Sequence, residues 1–152
     1  MKTSLRRGGG YTAVAALFFD VLGQRYQMTH SSENTLLVVM GVAGCGKSSL
    51  GQSCAQALGV PLLEGDDFHS ASNIQKMRQG TPLSDEDRAA WLDALATQLQ
   101  AHRDGVVLTC SALRGRYRER LRAAAPGLRF VFLDLTLEQA RARVAARPAH
   151  VF

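Results

Sequence analysis

"TLLVVMGVAGCGKSSL", Thr35 to Leu50, decides the fold. Its first six residues form an apolar run with no polar alternation, the pattern of a strand buried on both faces inside a parallel sheet. Gly41, Gly46, Lys47 and Ser48 then meet the spacing GxxxxGK[ST], with a further glycine at Gly44. Helix-forming residues continue from Lys47 to Leu58, with Leu50, Cys54, Ala57 and Leu58 expected along the buried side, and Gly59 ends the helix. A strand, a glycine-rich turn and a helix start in this order let several backbone N–H groups converge on phosphate oxygens, while the positive helix end adds to the attraction. The expected phosphate cradle is Gly41, Val42, Ala43, Gly44, Cys45, Gly46, Lys47, Ser48 and Ser49. Lys47 would reach the outer phosphates of ATP, and the Ser48 hydroxyl would bind Mg2+. The pattern by itself does not separate a kinase from a GTPase or a motor.

The same alternation continues downstream. "VPLLEGDD" reads as a second strand ending in acids, "GVVLTCSAL" as a third and "LRFVFLDL" as a fourth. Between them, Ser84 and Asp87 form a capping-box pattern before a helix that would bury Trp91, Leu92, Leu95 and Leu99. Tyr117 and Leu121 mark the apolar side of another helix, stopped at Pro126. Thr136 and Gln139 start an arginine-rich helix that cannot pass Pro148. Strands alternating with helices imply an α/β fold: a three-layer P-loop NTPase sandwich with a parallel sheet and helices on both faces.

The chain has 152 residues, 46% hydrophobic and 20% charged, a single-domain size and a globular composition. Its net charge of +5 comes from 15 arginines and three lysines against 13 acids. That excess suits phosphates or acidic metabolites, and equally a plain solvated surface. Nucleic acid is not expected, because the arginines are spread over several helices without interleaved exposed aromatics. Cys45, Cys54 and Cys110 have no metal-site spacing and read as reduced thiols of a cytoplasmic protein. Residues 1–34 differ: a basic start, three glycines, then an apolar run from Tyr11 to Leu22 broken by Asp20. That run is shorter than the about 20 residues of a membrane span, and no small-residue cleavage site follows. A transit peptide is one reading; a disordered or loosely helical extension is the preferred one, with the start open between Met1 and Met28. The domain proper is then 35–152.

So short a chain has little room for switch regions or a lever, which leaves a small-molecule kinase. Its acceptor would dock beyond the carboxyl ends of the strands. There Asp66, at the tip of a strand taken to neighbour the first, would accept a substrate hydroxyl's proton or help hold Mg2+. Its plainer alternative is a turn or cap aspartate. Asp67 reads as a solvated neighbour.

"GDDFHSASNIQKMRQGTPLSDEDRAAWL", Gly65 to Leu92, resembles the gluconate kinase signature: Gly-Asp, His, Asn, Lys-Met, Gly, Pro-Leu, Asp, Asp-Arg and Trp-Leu at fixed offsets. "CSALRGRYRERLR", Cys110 to Arg122, resembles that family's segment after the third strand, and the closing "ARVAARPAHVF" the start of its lid. The resemblance runs from Leu36 to Phe152 and sets shikimate and adenylate kinases aside. It implies ATP-dependent phosphorylation of D-gluconate at the 6-hydroxyl, with Asp66 as base, and suggests a homodimer. It also implies that His69, Lys76, Arg88 and Arg118 lie near the substrate or its phosphates. A sugar acid has one carboxylate and a row of hydroxyls, so these four would serve as its cations. Their alternatives are a helix-start hydrogen bonder for His69, a solvated charge for Lys76, a surface pair with Asp85 or Asp87 for Arg88, and one with Asp87 or Glu119 for Arg118. Arg143 and Arg147, four apart on one helical face, would clamp the transferring phosphoryl group, as lid arginines do; the alternative is a solvated face formed by Arg141 and Arg143. Trp91 and Met77 are expected in the core.

The chain departs from the family pattern at Ser70 and Ala90, where proline is usual, and at Arg114, usually lysine. It also stops where the family would finish the lid, add a fifth strand and contact adenine. That departure carries the expectation of an exposed sheet edge, marginal stability and reduced or absent turnover. A nucleotide-binding module without catalysis, or another small-molecule P-loop kinase, are the competing readings.

Overall fold

Every side chain of the first strand is buried, and this two-sided burial organises the molecule. The computed structural model describes residues 34–145. The expectations for the extension, for Met28 and for Arg147 with the closing lid run lie outside the described residues. In chain order the elements are β1 (Leu36–Met40), α1 (Lys47–Leu58), β2 (Leu62–Glu64), a 3-10 turn (Gly65–Phe68), α2 (Ala71–Arg78), α3 (Asp85–Ala101), β3 (Val106–Cys110), α4 (Gly115–Ala124), β4 (Arg129–Phe132) and α5 (Leu137–Ala145). Among the described residues, four strands form one parallel sheet in the order β2-β3-β1-β4.

Because strand side chains alternate, β1 feeds two cores. Leu36, Val38 and Met40 point into a cluster with Val106, Leu108, Cys110, Tyr117, Leu121 and the Trp91, Leu92, Leu95 and Leu99 face of α3. Leu37 and Val39 point the other way, onto Val107, Cys54 and Ala55. Val38, Val39, Leu95 and Leu99 are fully enclosed. Each contributes about 1.5 to 3 kcal/mol of transfer free energy.

Helix ends follow the residue chemistry. The Ser84 side chain accepts from Asp87 N–H at 3.1 Å while Asp87 accepts from Ser84 N–H at 2.9 Å, the reciprocal box read from the sequence. Thr136 and Gln139 exchange the same pair of bonds at the start of α5.

Three expectations need correction. Ala57 and Leu58 do not lie on the buried side of α1, which is formed instead by Gly51, Cys54 and Ala55. Small residues are needed there because α1 lies close on β3: a Cβ on Gly51 would come within 2.7 Å of Thr109 Cγ2 and 3.0 Å of Leu62 Cδ1. Met77 is only half-buried and stands outside both cores. The second strand is not the neighbour of the first, since β3 is inserted between them.

Two stability tests follow from this packing. In an open helix interior Gly→Ala stabilises by about 1 kcal/mol, whereas forcing a methyl group into a filled space costs about 1 to 3 kcal/mol. Gly51→Ala is therefore expected to be destabilising or neutral. Gly65→Ala is expected to be worse, by about 3 kcal/mol or more, since its Cβ would overlap the rigid Thr109 carbonyl oxygen and lie 2.9 Å from Cys110 Cβ. Denaturant unfolding of both variants checks the order. The second test is acid. The Lys76 ammonium, first, and the Ser84 N–H hold the Asp87 carboxyl below its ordinary 3.8. The folded chain thus binds this proton less readily than the unfolded one. The resulting stability is complete above the unfolded value and is lost as pH falls through it toward the lower folded one. Asp87→Asn should flatten this acid limb in melting curves and lower the melting point at neutral pH.

Candidate active site

The loop from Gly41 to Ser49 leaves the carboxyl end of β1, and its geometry suits an anion. Gly44 (φ 74°) and Gly46 (φ 99°) are in the left-handed region, which turns successive N–H groups to one side. Gly46 caps α1 without any side-chain bond, and the first turn of α1 holds no acid. By contrast, α3 carries Asp85, Glu86 and Asp87 in its first turn. The first turn of α1 therefore supplies no acid of its own to its positive end. Lys47 folds back over the loop, its Nζ donating to the Val42 carbonyl at 3.0 Å, and the Cys45 N–H donates to the same oxygen at 3.3 Å. The Cys45 side chain is buried, and a Cβ on Gly41 would lie 2.7 Å from its Sγ. The thiol fills the space beneath the loop that the missing side chain leaves.

Ser48 Oγ donates to Glu64 Oε2 at 3.1 Å, and the buried Thr109 hydroxyl donates to the same carboxylate oxygen. The sequence reading singled out neither Glu64 nor Thr109. Glu64 lies only two residues before Asp66 in "LEGDD", but its approach to Ser48 depends on β3 standing between β1 and β2. Among the described residues no cluster of three or more His, Cys, Asp or Glu could hold a metal ion. Mg2+ does not need one: it usually takes one or two protein oxygens and completes its shell with phosphates and water. The Ser48–Glu64 pair fits that donor set.

Asp66 is exposed in the 3-10 turn at the carboxyl end of β2. The charges of Lys47 and Asp66 both bear on Cys110, at the same end of β3. Burial pushes that thiol up to about 12, so Cys110 is an inert neutral group. The Trp91 indole N–H donates to the Gly65 carbonyl at 2.8 Å, which ties the turn carrying Asp66 to α3.

His69 stacks on Trp91 with ring centroids 4.7 Å apart and planes 10° from parallel. Burial, opposed by Asp66 and assisted by Arg88, lowers its pKa below the ordinary 6.5. The shift favours the uncharged ring, and its Nδ1 is buried with no hydrogen-bond partner among the described residues. Lys76 donates to both Asp87 carboxylate oxygens, at 2.8 and 2.9 Å, so its charge is matched locally. Neither arginine of the expected set sits in an ion pair among the described residues. Arg88 donates to the Leu83 carbonyl, and Arg118 to those of Ala112 and Leu113 at 3.0 and 2.8 Å. Asp85 instead takes Arg114, Arg116 and the Tyr117 hydroxyl. Asn73, also missed, is buried and donates to the Asp87 carbonyl at 2.9 Å, locking α2 to α3. Arg143 lies in α5.

Such a site can grip an anion at the start of α1 and offer a carboxylate and hydrogen-bonding groups to a second molecule beside it. A family model described as an AAA domain matches residues 36–151. The thermoresistant gluconokinase of Escherichia coli is 38% identical over 127 residues, covering 82% of this chain and 73% of that protein. The thermosensitive gluconokinase of the same organism is 40% identical over 116 residues, covering 74% of this chain and 62% of that one. The solved structure of a gluconokinase from Sinorhizobium meliloti 1021 is 46% identical with a TM-score of 0.73, covering 78% of this chain and 67% of that one. The matches span 62% and 73% of the two Escherichia coli relatives. With the phosphate loop, the four-stranded parallel sheet and this similarity together, the chain belongs to the gluconokinase family of AAA-domain proteins.

Proposed function

We propose that the chain transfers the terminal phosphoryl group of ATP to the 6-hydroxyl of D-gluconate, giving 6-phospho-D-gluconate and ADP. The observation that carries this reading is that an anion-seeking loop with no acid of its own and an exposed carboxylate, Asp66, share one end of the sheet.

In this reading the N–H groups of Gly41 to Ser49 and the Lys47 ammonium hold the phosphates. Ser48, with Glu64 and Asp66, would hold Mg2+, which supplies charge neutralisation across the phosphates when bound. Asp66 takes the proton of the gluconate 6-hydroxyl as the oxygen–phosphorus bond forms and ADP leaves. Arg88 and Arg118, without an acid partner among the described residues, are the cations for the substrate carboxylate. His69, a half-buried uncharged ring stacked on Trp91, hydrogen-bonds a substrate hydroxyl, a partner that suits a neutral imidazole better than a carboxylate does. Lys76 acts by holding Asp87 and the start of α3. Arg143 and Arg147 are the expected phosphoryl clamp. The catalytic unit is 35–152, with 1–34 as an extension. The setting is the cytoplasm, which buried Cys45, Cys54 and Cys110, none in a disulfide, support, and the assembly is the homodimer the family suggests. Among the described residues no helix is long and apolar enough to cross a membrane.

A coupled assay of ADP release across D-gluconate, shikimate and adenosine monophosphate tests the reading. ADP should appear with gluconate, only when Mg2+ is present, and Lys47→Ala should reduce the rate by about 100-fold or more. Asp66→Asn should lower kcat by about 100-fold or more with little change in KM, the signature of a lost base. ADP release with shikimate or adenosine monophosphate but never with gluconate would overturn the assignment.

A further inference from the structure

We propose that Thr109 is a positioning residue of the phosphoryl-transfer site: its buried hydroxyl orients the Glu64 carboxylate so that Glu64 takes the Ser48 proton and leaves the Ser48 oxygen open to a divalent cation. The inference rests on the kinase reading above and assigns a residue that reading does not use.

Thr109 is the one polar side chain of β3, between Leu108 and Cys110, and it is only 2% exposed. Packing gives no reason for a hydroxyl there. Valine fills nearly the same space, suits a strand as well and avoids the desolvation of an O–H group. The hydroxyl finds its acceptor in Glu64 Oε2, across the β2–β3 ladder, where Glu64 and Thr109 are register partners. The methyl branch of the side chain faces the opposite side, toward α1. Gly51 of α1 lies so close that a Cβ there would come within 2.7 Å of Thr109 Cγ2. The methyl branch thus occupies the side toward α1 and the hydroxyl the side toward Glu64, and the bond to Glu64 is what favours this rotamer over the one with the two branches exchanged.

The consequence reaches Ser48. A serine hydroxyl has one proton and two lone pairs. When the proton is donated to Glu64, as the 3.1 Å contact records, both lone pairs remain for other partners. A carboxylate free to rotate would not enforce that choice. Held by Thr109, it does.

The test compares Thr109→Val, which removes the hydroxyl and keeps the shape, with Thr109→Ser, which keeps the hydroxyl. Titration calorimetry of ATP with and without Mg2+ gives the ratio by which the metal strengthens nucleotide binding, independently of turnover, and thermal melting reports folding. Thr109→Val is expected to lower that ratio by about 10-fold or more, as for lost outer-shell partners of metal ligands, with metal-free ATP binding unchanged. Thr109→Ser should retain it. A folded Thr109→Val with the full ratio would overturn the proposal, as would a folded Thr109→Ser that loses as much as Thr109→Val. If Mg2+ has no effect on ATP binding by the unsubstituted chain, the kinase reading fails, and this inference with it.

Discussion

The enclosure of β1 between β3 and β4, with a packed core on each face, is the constraint on which the remaining structure rests. None of its five side chains can turn to solvent without leaving one of two cores, so its register against both neighbours is set. The backbone that leaves Met40 must therefore enter the loop at one place and in one direction. There the loop is anchored from below by the Cys45 thiol, and α1 is drawn onto the sheet through the cleared surface at Gly51. A loop that binds by backbone N–H groups needs such anchoring, because amides that can reorient lose most of their advantage over water.

Charge placement separates two helix starts a short distance apart. The first turn of α3 is supplied with acids, a capping box and the Lys76 ammonium, and Asp85 gathers Arg114, Arg116 and Tyr117 from α4 and its approach. Its dipole is answered within the fold. The start of α1 has no acid and no side-chain cap, and the nearest fixed carboxylate, Glu64, is engaged by two hydroxyls. An incoming phosphate therefore meets one helix start without an acid or a side-chain cap of its own rather than two.

Local patterns made much of this legible. The uninterrupted apolar run of β1, the GxxxxGK[ST] spacing, the Ser84–Asp87 and Thr136–Gln139 boxes, and the Trp91-to-Leu99 face of α3 are all short-range signals, and each appears in the structure where its residues predicted it. The errors share a cause. Ala57 and Leu58 looked like core because hydrophobicity along one helix does not reveal how closely a strand approaches it. The surroundings of His69 were equally illegible, because its ring stacking on Trp91 is supplied by α3, more than twenty residues away in sequence.

The amino-acid sequence by itself determined the phosphate loop, the alternation of strands and helices, and the family, because these depend on neighbours a few residues apart. Only the tertiary structure decided which carboxylate meets Ser48. The insertion of β3 between β1 and β2 places Thr109 beside Glu64 and Glu64 beside Ser48. Strand order is set by how both cores close around the sheet, and no local pattern records it.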